Sequence, residues 1–128
     1  MRHKQIILPF GLLSAIAIYW SSCKFDSLEE LEDSICDTSY VASYQNDVVP
    51  ILTAECYECH DATFYIYLGG GNLLEGYSNL VNYVNDSRLL CAIKHSGCAV
   101  PMPYGRGKLP DSDIAKIKTW VCQEALNN

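Results

Sequence analysis

Apolar residues along this chain follow two regimes. From Gln5 to Trp20 they run almost without a break (IILPFGLLSAIAIYW after Gln5), behind Arg2, His3 and Lys4 and ahead of Ser21, Ser22 and Cys23. A basic start, an apolar centre and small residues at the end form the pattern of an export signal. The run is about 15 residues, short of the roughly 20 that a membrane-spanning helix needs. Beyond it, apolar positions recur at helical spacing, interrupted by Gly and Pro. Residues 24–35 are acidic and read as a solvated spacer, with Leu28, Leu31 and Ile35 only weakly helical. Asn46 or Asp47 is expected to cap a first helix that buries Val48, Val49, Ile51 and Leu52. Pro50 fits in its first turn, where a missing amide hydrogen costs little. Phe64–Leu68 is aromatic-rich, and Gly69-Gly70-Gly71 then forces a loop. Tyr77–Val84 reads as a short helix with Leu80, Val81 and Val84 on one side. Asp86 or Ser87 caps another, which carries Leu89, Leu90 and Ile93. Gly97–Lys108 is irregular. Ile114, Ile117, Trp120 and Val121 mark an amphipathic last helix expected to end near Asn127. The fold class that follows is all-α.

Composition narrows this further. The chain has 128 residues, 9 Lys and Arg against 15 Asp and Glu, and 7 cysteines. Cleavage after residue 22 leaves roughly 105 residues, the size of one domain. Such a domain buries a limited core, so covalent staples or a cofactor are expected to help it. Cleavage also removes two basic residues and no acidic ones, taking the net charge from −6 to −8. No basic cluster is present, which excludes nucleic acid as a partner. An acidic protein of this kind meets its partner through basic surface on that partner, or through an uncharged patch. Export places the cysteines in an oxidising compartment.

The chemistry concentrates in Cys56-Tyr57-Glu58-Cys59-His60. Two thiols three positions apart can each add across one haem vinyl group, and the histidine that follows is then held beneath the iron. Cys-x-x-Cys-His therefore reads as a site of covalent haem c attachment. A redox disulfide or a structural metal at Cys56 and Cys59 is the non-haem alternative. Pro101-Met102-Pro103 holds the only methionine besides the initiator. The flanking prolines fix the backbone on both sides and disfavour helix, an arrangement suited to presenting one thioether. Met102 is the candidate distal ligand opposite His60, a pairing that raises a haem's reduction potential. His95, at the end of a predicted helix, is the rival ligand, a helix-terminal histidine interacting with the local dipole, or a hydrogen-bonded core histidine. Tyr77 and Tyr104 are weak candidates for bonding a haem propionate, and Arg106 and Lys108 for neutralising one. With Cys23 at the cleavage point set aside, the other cysteines are Cys36, Cys91, Cys98 and Cys122, which allow three pairings. Cys91 lies in the last turns of a helix and Cys98 just past its glycine-marked end, so Cys91–Cys98 is within reach of a chain reversal.

Residues 40–128 resemble a single-haem class I cytochrome c domain of exported bacterial proteins. The resemblance rests on Cys56-x-x-Cys59-His60, Gly69–Leu80 (GGGNLLEGYSNL), Pro101-Met102-Pro103 with Gly105 and Leu109, and the helix bearing Ile114, Ile117 and Trp120. It implies a class I cytochrome c fold, helices wrapped around one haem, with thioethers to Cys56 and Cys59, iron bound by His60 and Met102, and the first and last helices in contact. That last contact makes the pair Cys36–Cys122 plausible. Many members carry a proline soon after the motif, whose carbonyl receives the histidine's other N–H. None occurs here between His60 and Pro101, so the acceptor is open. The leader resembles a bacterial lipoprotein signal with Cys23 as the lipidated residue, although Trp20 stands where that family usually has Leu.

These resemblances imply residues 1–22 as signal, 23–39 as a lipid-anchored spacer and 40–128 as the haem domain. The protein is expected at the periplasmic face of a bacterial membrane, the outer membrane ahead of the inner. Its role would be that of an electron carrier rather than an enzyme, with redox proteins of the cell envelope as partners and no small-molecule substrate. The alternative is a haem-based sensor or small haem-enzyme subunit with a labile distal ligand.

Overall fold

The computed structural model describes residues 36–128; the signal segment, Cys23 and spacer residues 24–35 lie outside them. Six helical segments follow in chain order. They are α1 (Tyr44–Val48, wound as a π-helix), α2 (Val49–Glu55), α3 (Tyr57–His60), α4 (Tyr77–Asn85), α5 (Arg88–Lys94) and α6 (Asp111–Cys122). Among the described residues there is no strand, so this part of the chain is all-α. None of their helices is long and apolar enough to cross a membrane.

The first helix begins earlier than its sequence suggests. Ser43, in extended conformation, is the N-cap: its hydroxyl accepts the Asn46 amide at 3.2 Å, and the Asp47 carboxylate accepts the Ser43 amide at 2.8 Å. Asp47 thus belongs to a reciprocal cap rather than being the cap itself, the pairing by which two orphan amides are satisfied together. Pro50 falls in the first turn of α2. At Cys56 the backbone leaves helical geometry (φ −124°, ψ −39°), and α3 restarts immediately.

The core forms where the apolar stripes of these short helices meet. Val48, Leu52, Leu80, Ile117 and Trp120 are fully buried. The Tyr44 ring meets Tyr77 edge-on at 5.4 Å and Trp120 at 5.7 Å, which joins the start of the domain to α4 and α6. Helix α1 packs on α2 and α6, and α5 packs on both α4 and α6.

The last helix stops at Cys122, not near Asn127. Glu124 and Ala125 take positive φ, and the chain turns back over Trp120, whose indole N–H donates to the Leu126 carbonyl at 2.8 Å. The returning segment then closes the start of the domain. Asn128 accepts the Tyr44 amide through its side chain at 2.8 Å, and the Gln123 side chain bonds the backbone of Ala42 and Tyr40. The Asn128 side chain thereby satisfies the Tyr44 amide, one of the four that a helix start leaves without internal partners. Cys36 is bonded to Cys122 with Cα atoms 5.8 Å apart, which ties residues 36–39 to the helical unit. Cys91 is bonded to Cys98 with Cα atoms 5.7 Å apart.

Candidate functional site

The Cys56–His60 segment is a single tight turn in which the Cys56 carbonyl accepts the amides of both Cys59 (3.1 Å) and His60 (3.0 Å). Positions i, i+3 and i+4 share one face of a helix. Cys56, Cys59 and His60 accordingly line one cavity of about 610 Å³. That volume lies within the roughly 300–1,000 Å³ usual for cofactor and small-molecule sites. Helix α5 supplies apolar wall through Leu89 and Ile93, with Leu68, Leu74 and Leu109 from the loops, and Met102 lines the same cavity from the loop before α6.

The loop from Asp61 to Gly76 holds His60 in place. The Asp61 carboxylate accepts the amides of Thr63 (2.9 Å) and Phe64 (2.7 Å), and the Leu74 amide returns to the His60 carbonyl at 2.9 Å. His60, itself buried, has its Nδ1 2.7 Å from the Asn72 carbonyl oxygen. A carbonyl can only accept, so Nδ1 carries a proton, and in the neutral ring Nε2 then holds the free lone pair. This is the acceptor that the missing proline leaves open in the sequence: a backbone carbonyl twelve residues on. Asn72 is itself anchored, its side-chain amide donating to the Gly69 carbonyl at 2.9 Å. Gly69 crosses so close beneath the turn that a Cβ there would meet the Cys59 oxygen at 2.5 Å and His60 Nδ1 at 2.8 Å. The sequence marks Gly69 only as part of a loop-forming run; its contact with the histidine is a tertiary feature.

The Cys56 and Cys59 thiols are both free. Burial, with a smaller contribution from Glu55, pushes the Cys56 thiol up to about 11. A Cys-x-x-Cys redox centre works through a depressed thiol, so this environment is the opposite of what disulfide exchange requires. A closed zinc cage takes four ligands, and among the described residues no group of three or more His, Cys, Asp or Glu is placed to hold a metal ion.

The secondary candidates divide. His95 does not line the cavity: its Nε2 lies 3.0 Å from the Met102 carbonyl oxygen. Tyr104 lines the cavity and is exposed, whereas Tyr77 packs against Tyr44. Arg106 lines the mouth but pairs with Glu58 at 2.7 Å, and Lys108 pairs with Asp111 at 2.7 Å. Arg88, which the sequence does not single out, also lines the cavity, 4.5 Å over the Tyr83 ring and paired with Asp86. Comparison of the chain with protein-family models, with curated proteins and with solved structures gave no match.

Proposed function

We propose that this chain is an exported monohaem c-type cytochrome that carries single electrons between proteins of the cell envelope. The observation that carries the reading is that one apolar cavity gathers two free thiols, a buried imidazole and a thioether from separate parts of the chain. Those residues fit a covalently held haem in a class I cytochrome c fold: Cys56 and Cys59 would form the thioethers, and His60 Nε2 and the Met102 sulfur would hold the iron.

Haem bound this way supplies a one-electron ferric–ferrous couple. The chain's own residues shape that couple. The Nδ1–H bond to Asn72 fixes the tautomer and plane of the His60 ring and raises its basicity as a ligand. The Met102 thioether, if it held the iron together with His60, would with the apolar walls favour the reduced state and so a higher potential. Arg88 and Arg106 line the cavity already paired with Asp86 and Glu58, so either guanidinium would compensate a propionate by sharing or exchanging that partner. Phe64, Ile66, Tyr67 and Leu68 are exposed on the loop that leaves His60. They give a partner protein an uncharged surface near the site, as exposed apolar patches of this kind do. A lipid on Cys23 would keep the domain at the membrane surface.

Intact-mass analysis of the mature exported protein tests the reading. One haem retained through denaturation is expected, and it should be lost when Cys56 and Cys59 are both replaced by Ala. Unmodified mass in the wild type would exclude it. With haem attached, Met102→Ala should remove the methionine–iron absorption band and open the iron to CO.

A further inference from the structure

The segment that presents Met102 is tied back to the end of α5 on both sides of one residue, through its amide and its carbonyl. The Met102 amide donates to the Ala92 carbonyl at 3.0 Å, and the Met102 carbonyl lies 3.0 Å from His95 Nε2. That oxygen only accepts, so the ring donates through Nε2–H. Ala92 and His95 belong to the last turn and C-cap of the same short helix, whose wall residues Leu89 and Ile93 line the cavity.

His95 makes this contact from an unfavourable backbone. It sits in left-handed conformation (φ 56°, ψ 36°) at a position that helices usually give to Gly. A side chain kept at such a position is a pointer to function when the ring has a specific partner. Its amide caps the Ala92 carbonyl, so the backbone turn and the ring act on the same few atoms. Three residues on, Cys98 is bonded back to Cys91, which closes the stem of the loop on the other side.

We infer that His95 is a positioning residue for Met102: its Nε2–H fixes the Met102 carbonyl and so holds the thioether against the cavity. This rests on the cytochrome reading above. It replaces the role of rival ligand with one exerted through the backbone of the ligand segment. An external ligand can reach the iron only when that segment lifts, so its apparent affinity scales with the open fraction. Loss of one hydrogen bond of ordinary net strength raises that fraction roughly tenfold.

The test uses haem-loaded protein and cyanide as the probe. His95→Ala and His95→Gly should each raise cyanide affinity of the ferric form roughly tenfold. Exchange of the Met102 amide should quicken by a similar factor, while amides in the middle of α4 are unchanged. The glycine variant removes the left-handed strain, so a loss seen there belongs to the ring and not to misfolding. His95→Gln, whose side-chain amide can donate from a similar position, should restore much of the wild-type behaviour. Wild-type affinity and wild-type Met102 exchange in both the Ala and Gly variants would overturn the inference, as would acceleration spread equally over α4. If the wild type carries no covalent haem, or Met102→Ala leaves cyanide affinity unaltered, it is the cytochrome reading that fails.

Discussion

Gly69→Ala tests the cradle beneath His60. The new methyl group would stand 2.5 Å from the Cys59 oxygen, 2.8 Å from His60 Nδ1 and 2.9 Å from the Tyr65 oxygen. Two of these atoms are backbone, and the third belongs to a ring held at 2.7 Å by Asn72. No flexible side-chain end is available to move aside, so either the loop lifts or the ring turns. Overpacking of this kind costs about 1–3 kcal/mol, and breaking the Nδ1 bond adds about 1 kcal/mol. A combined loss of about 2–4 kcal/mol lowers Tm by roughly 8–30 °C in a domain of this size. Gly107→Ala is the matched control. A Cβ there meets nothing within 4 Å and its φ is not left-handed, so restricting the unfolded chain should leave stability unchanged or raise it by about 0.4–1 kcal/mol. Thermal unfolding of both variants by circular dichroism gives the comparison. If Gly69→Ala melts with Gly107→Ala, the contact beneath His60 is not tight and the cradle account is wrong.

Two further outcomes follow from the same structure, and a third from the proposed lipid anchor. Burial foremost, with Tyr44, Glu75 and Cys56 adding, pushes the Tyr57 hydroxyl up to about 12 from an ordinary 10.0. The folded state therefore keeps this proton longer than the unfolded chain. Its contribution to stability is complete below pH 10 and is lost as pH rises towards 12, so Tyr57→Phe should flatten the alkaline limb of a denaturation profile; an unchanged limb would assign it to other groups. The Cys36–Cys122 bond spans 86 residues and the Cys91–Cys98 bond 7, so the chain-entropy model gives up to ~4.6 and ~2.5 kcal/mol. Denaturant melts of the two double-serine variants should rank accordingly, and a reversed ranking would point to local strain or unfolded-state structure instead. If Cys23 carries the proposed lipid, Cys23→Ser should release the protein from membranes or stall its processing, because two or more acyl chains are what make such anchoring stable; a processed variant still bound to membranes would indicate a protein anchor.

Short-range features of this chain are legible in the amino-acid order. Apolar spacing marks α2, α4, α5 and the body of α6, because a helix buries the residues that recur on one side of it. The i, i+3, i+4 spacing of Cys56, Cys59 and His60 brings their side chains to one face, since the turn that aligns them is local. The ends of the helices are less legible. α1 starts at Tyr44 because Ser43 and Asp47 cap one another and Asn128 returns to bond it, and α6 stops early so that the tail can make that return. The remaining features depend on the fold as a whole. A main-chain carbonyl exists at every residue, so nothing in the sequence distinguishes Asn72 as the acceptor for His60. The tight space beneath that ring, which only Gly69 fits, exists once the loop has closed. Residue type alone leaves His95 open as a rival ligand, a helix-terminal histidine or a hydrogen-bonded one. Only the packed loop shows its Nε2–H committed to the Met102 carbonyl, because closure of the chain, not residue type, decides which polar groups meet.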